Sequence, residues 1–78
     1  MPDKLPGKSS GLPIANQIRR YRFEANEMTQ AELAEKIGMI RQTVAAIEAG
    51  KYSPSLEAAF RIARAFGAKL EDVFQWSE

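Results

Sequence analysis

Residues 29–49, TQAELAEKIGMIRQTVAAIEA, constrain the fold more than any other stretch, because they read as two short helices meeting at one glycine. Thr29 and Glu32 have the spacing of a capping box: the hydroxyl accepts from the N3 amide while the glutamate reaches back to the cap amide. Met28 and Leu33 flank the box as a hydrophobic staple. Leu33, Ala34 and Ile37 form an apolar stripe at helical spacing, and Gly38 falls where a residue of positive φ lets the chain turn sharply. Beyond Met39 and Ile40 a second helix is expected over residues 41–49, burying Val44 and Ile47 and leaving Gln42, Ala45, Ala46 and Ala49 on the opposite side. Ala34 is small enough for the two helices to cross closely and steeply, so the second one projects outward.

A projecting helix with Arg41 and Gln42 at its front carries the chemistry of a base-edge reader. Glutamine bonds bidentately to adenine and arginine to guanine in the major groove, each worth ~1–3 kcal/mol of discrimination. At this point residues 30–47 resemble the helix-turn-helix of phage repressor and Cro-type transcriptional regulators, through Gln30 at the front of the first helix, small Ala34, turn Gly38 and core Val44 and Ile47. Residues 50–74, GKYSPSLEAAFRIARAFGAKLEDVF, look like that family's loop and closing helices, so the resemblance covers residues 14–74. It implies an all-α, compact five-helix, lambda-repressor-like domain that binds double-stranded DNA and regulates transcription, as a repressor.

The resemblance also implies roles residue by residue. Arg41 and Gln42 are the base contacts, with a phosphate as the alternative for Arg41. Ala45 and Ala46 stand where longer polar readers often occur in the family; their methyls offer only apolar contacts, for instance to thymine, which shifts weight to DNA shape. Gln30, Thr43, Lys51 and Tyr52 are the phosphate contacts. Three of them have a bland reading too: Gln30 as a helix former, Thr43 bonding within its helix, Tyr52 as a packing residue. Arg22, an arginine on an otherwise apolar stripe, is implied to pair with Glu48 late in the recognition helix; the alternative is a guanidinium lying in water. Two departures stand out. Ile40 replaces the family's usual Ser or Thr cap, and the segment FEANE between Arg22 and Met28 is one residue longer than is common, which predicts a bulge in helix one or its turn.

Length and composition narrow the function classes. At 78 residues the chain holds one domain near the lower limit for a self-sufficient core. It has no cysteine and no histidine, so thiolate chemistry, disulfides, the commonest metal ligand and the commonest general base are all missing. There is no phosphate-cradling glycine loop and no nucleophile elbow. The expectation is a non-enzyme with no cofactor, no metal site and no small-molecule substrate. No apolar run approaches the ~20 residues needed to span a bilayer, and the N-terminus lacks a signal-peptide core, so no membrane association and a cytoplasmic location are expected. A net charge of +1 is no argument for nucleic acid by itself.

The flanks complete the reading. Residues 1–12, rich in Pro, Gly and Ser, are expected to be a solvated tail, with Lys4 and Lys8 as a basic arm in the alternative; residues 13–76 form the domain. Helix one is expected over residues 13–26 with Pro13 at N1 and Ile14, Ile18, Tyr21, Arg22 and Ala25 along one face. Pro54 is placed in the first turn of the fourth helix, whose apolar face comprises Leu56, Ala59, Phe60, Ile62, Ala63 and Phe66. A weakly capped last helix covers residues 70–74. Trp76, beside Phe74, either packs on a symmetry mate in a homodimer or folds back on its own domain. Two other functions stay open: an antitoxin-like regulator with a protein partner, and a protein-interaction adaptor without DNA readout.

Overall fold

The computed structural model describes residues 13–77. Its elements, in order, are β1 (Ile14–Asn16), α1 (Ile18–Glu24), α2 (Gln30–Ile37), α3 (Arg41–Glu48), α4 (Leu56–Ala65), α5 (Leu70–Val73) and β2 (Phe74–Trp76). The five expected helices are present, and a two-stranded sheet joins the two ends of the domain. The tail, residues 1–12, lies outside the described residues.

α2 starts and stops for the reasons its sequence dictates. Thr29 Oγ1 accepts from the Glu32 amide at 3.0 Å and Glu32 Oε1 accepts from the Thr29 amide at 2.8 Å, closing the capping box. At the far end Gly38 takes φ +74°, and the Met39 amide donates back to the Ala34 carbonyl at 2.9 Å. A side chain disfavours that left-handed conformation, so glycine sets the angle between α2 and α3. The core runs through Ile18, Leu33, Ala34, Ile37, Val44, Ile47, Ile62, Ala63 and Val73, with Tyr21, Met28, Phe66 and Phe74 packed around it. Tyr21 stacks on Phe66 with ring centroids 5.4 Å apart.

Four expectations need correcting. Helix one does not begin at Pro13: Ile14 is in β1, paired antiparallel with Trp76, while Asn16 pairs with Phe74. Pairing the ends satisfies backbone groups that a frayed helical turn would leave to water, as in the Gln17 amide to Val73 carbonyl bond of 2.8 Å. The last helix stops one residue early, because Phe74 turns extended (φ −120°, ψ 135°) to enter β2. Pro54 precedes the fourth helix's cap instead of occupying its first turn; the cap is Ser55, whose hydroxyl accepts from the Ala58 amide at 3.1 Å. Finally, Leu56 and Phe60 are exposed, at 69% and 47%, since α4 packs through Ala58, Ala59, Ile62 and Ala63. The four small or β-branched residues let α4 lie close to its neighbours, which pushes the i, i+4 pair Leu56 and Phe60 to the flank.

The turn after α1 departs from regular helix at two residues. Asn26 and Glu27 both adopt positive φ, at 63° and 56°. Glu27 donates to the Phe23 carbonyl at 3.1 Å and Met28 to the Arg22 carbonyl at 2.9 Å, so the detour keeps its backbone bonds and delivers Met28 to the core. Among the described residues no helix is long and apolar enough to cross a membrane.

Candidate nucleic-acid interface

The helix α3 is sealed on one side and open on the other. Val44 and Ile47 are 0% and 2% exposed, whereas Arg41 and Gln42 are exposed and Thr43, Ala45 and Ala46 half-buried. Its cap residue Ile40 makes no side-chain capping bond and is 65% exposed, so the apolar side chain lies in solvent beside the helix start. The lost cap bond costs α3 about 1 kcal/mol relative to Ser or Thr there.

Neighbouring elements frame that open side. The N-terminus of α2 lies next to that of α3: Arg41 Nη1 donates to Gln30 Oε1 at 3.2 Å. Gln30 is N1 of α2 and half-buried, so its amide is available to hold the arginine. Past the other end, Gly50 takes φ +77° and the Lys51 amide returns to the Ala46 carbonyl at 2.9 Å, closing α3 and swinging the chain away. Lys51 and Tyr52 follow, both exposed, with Tyr52 at 53%; its ring is not a core packing residue. The structure therefore brings Gln30 and Arg41 into contact and places Lys51 and Tyr52 in the loop that leaves α3.

The rear of α3 is tied to the bundle by charge. Arg22 forks onto Glu48, Nε to Oε1 at 2.9 Å and Nη2 to Oε2 at 2.8 Å, and its Nη1 donates to the Met28 carbonyl at 2.8 Å. The two side chains are only 16% and 12% exposed, so the guanidinium does not lie in water. A planar fork on a carboxylate fixes orientation as well as distance. One further tie was not anticipated. Asn16 Nδ2 donates to the Ile47 carbonyl at 3.1 Å and to the Glu48 carbonyl at 3.3 Å, reaching from β1 to the end of α3. Nothing in the linear sequence announced it, since it depends on the strand pairing.

Among the described residues no cluster of acidic side chains could hold a metal ion. Gln30 lies on α2, Arg41, Gln42, Thr43, Ala45 and Ala46 on α3, and Lys51 and Tyr52 in the loop after it. A helix-turn-helix family model matches residues 18–73, spanning α1 to α5. The chain belongs to the helix-turn-helix family of DNA-binding transcriptional regulators. In this helix-turn-helix protein, α2 and α3 are the two helices that meet at the Gly38 turn. Its relatives include an uncharacterized HTH-type transcriptional regulator of Methanocaldococcus jannaschii, 51% identical over 65 residues that cover 83% of this chain and 97% of the relative. One from Archaeoglobus fulgidus is 48% identical over 65 residues, covering 83% and 90%. The HTH-type transcriptional regulator YgzD of Bacillus subtilis is 56% identical over 65 residues, covering 83% and 96%.

Proposed function

We propose that the chain is a sequence-specific repressor that lays α3 in the major groove of duplex DNA, without enzymatic activity, in the cytoplasm. The observation that carries this reading is the polarity of α3: its apolar side is sealed against the core while Arg41 and Gln42 stand exposed at the leading end. Arg41 and Gln42 then read base edges, and Ala45 and Ala46 lie close enough to the groove floor for methyl contacts. Gln30, Thr43, Lys51 and Tyr52 hold the phosphates on either side, fixing register without reading sequence. Repression follows from occupancy, because a domain seated in the groove keeps other proteins from the same base pairs.

The active species in this proposal is a homodimer. Ile14, Leu56, Ala59, Leu70, Phe74 and Trp76 line one apolar groove, and Leu56 and Trp76 are exposed at 69% and 65%. Burial of that face between two copies removes it from water and sets two reading helices on half-sites about one helical turn apart. Phe74 and Trp76 are the contacts assigned to the partner copy.

The test begins with random duplex DNA at several salt concentrations. Lys51, the one cation among the assigned phosphate contacts, releases about two counterions from two protomers, so log affinity against log salt should fall with a slope of about −1.8. Selection from a random duplex pool should then return two half-sites in inverted order. Salt-independent binding, or none, removes the DNA reading.

A further inference from the structure

We infer that Asn16 is a positioning residue for DNA readout: its side chain clamps the last turn of α3 to the terminal sheet and so sets the angle at which Arg41 and Gln42 are presented. This rests on the proposed reading of α3 as the DNA-contacting helix. Asn16 faces three elements at once. Its backbone sits in β1 opposite Phe74 of β2, its Oδ1 accepts from the Ile18 amide at 3.1 Å at the start of α1, and its Nδ2 donates to the Ile47 and Glu48 carbonyls at 3.1 and 3.3 Å. The orientation of the amide is dictated by those partners, since a flipped group would set oxygen against two carbonyls and nitrogen against an N–H.

The clamp grips α3 from the side opposite its tip. Glu48 is held twice, its carboxylate by the Arg22 fork from α1 and its carbonyl by Asn16 from β1. Those two attachments fix both the position and the roll of the helix end. An eight-residue helix is about 12 Å long, so a swing of about 10° at the held end carries the tip by roughly 2 Å. Bidentate base contacts tolerate only ~0.5 Å of misplacement, whereas a phosphate contact through a long, flexible lysine adapts. Loosening the clamp therefore costs sequence discrimination before it costs non-specific binding. Arg22 holds this end of α3 from α1; Asn16 holds it from the sheet.

Asn16→Ser separates the clamp from the local bond to the Ile18 amide. A serine hydroxyl still accepts from an amide two residues on but is too short to reach the α3 carbonyls. The full chain, Asn16→Ser and Asn16→Ala should be compared on the duplex selected by the wild type and on a scrambled duplex, at one salt and well below each variant's own Tm. The expected result is a loss of about tenfold on the selected duplex, the size of one forfeited base contact, with affinity for scrambled duplex held within about twofold. An unchanged ratio between the two duplexes overturns the proposal, and so does a parallel fall of both, which marks a purely structural residue. Amide hydrogen exchange of the DNA-free protein separates the clamp from the DNA reading. Asn16→Ser should speed exchange in the last turn of α3 and leave α2 unchanged. If wild type prefers no duplex yet exchange accelerates, the DNA reading fails and the clamp stands; unaltered exchange sinks the clamp itself.

Discussion

Single residues decide how firmly α3 is held and, in the proposed function, how it meets DNA. Arg22 and Glu48 form a nearly buried pair, and removing one partner strands a charge, which costs about 3 kcal/mol or more. Arg22→Met should lower urea stability by that order, and the double variant Arg22→Met, Glu48→Leu should recover much of it; equal losses in the single and double variants would show that the pair is not coupled. At the tip, Gln42→Ala should cost ~1–3 kcal/mol on the selected duplex and almost nothing on random DNA. Lys51→Ala should act in the opposite manner, weakening every duplex alike and flattening the salt slope by about 0.9 per protomer. Equilibrium titrations at three salt concentrations distinguish the two patterns. The pairing of Arg22 with Glu48 is legible only through the resemblance, because an arginine on an apolar stripe can equally lie along it with its guanidinium in water. The tie through Asn16 is not legible at all, because an asparagine near a domain end is unremarkable until the strand opposite it is known.

At the scale of elements, the turn after α1 stores strain and the helix starts report their caps. Glu27 holds φ +56° without the short polar side chain that tolerates this region, so Glu27→Gly should stabilise the domain by about 1 kcal/mol, measured as a shift of the urea midpoint with unchanged slope. A destabilised Glu27→Gly would mean that the side chain contributes more than its backbone costs. α2 reads directly from sequence because every signal is local: Thr29, Glu32, Leu33 and Gly38 lie within three turns of one another. The sheet was invisible for the converse reason. Three-residue strands carry too little periodicity to announce themselves, and Ile14 pairs with Trp76 only because α1 and α5 bring the chain ends together. A proline ahead of a β-branched residue then looked like a helix start.

For the whole molecule the proposed dimer rests on the face made by Leu56, Phe74 and Trp76. Sedimentation at micromolar concentration should give twice the monomer mass for wild type and the monomer mass for Trp76→Ala, with a matching loss of affinity for paired half-sites but not for one half-site. A monomeric wild type removes the dimer from the proposal. The exposed Leu56 shows why this face is not legible in the sequence: an apolar position at helical spacing reads as core, yet α4 packs through Ala58, Ala59, Ile62 and Ala63 and leaves Leu56 outside.

The amino-acid sequence alone determined α2 and α3, their glycine turn and the side of α3 that faces outward, because capping, spacing and left-handed turns act over a few residues. Tertiary structure alone decided how the two chain ends pair, which of α4's large side chains stay wet, and that β1 grips the end of α3. Those outcomes depend on contacts between residues remote along the chain, whose energies exist only once the bundle has brought them together.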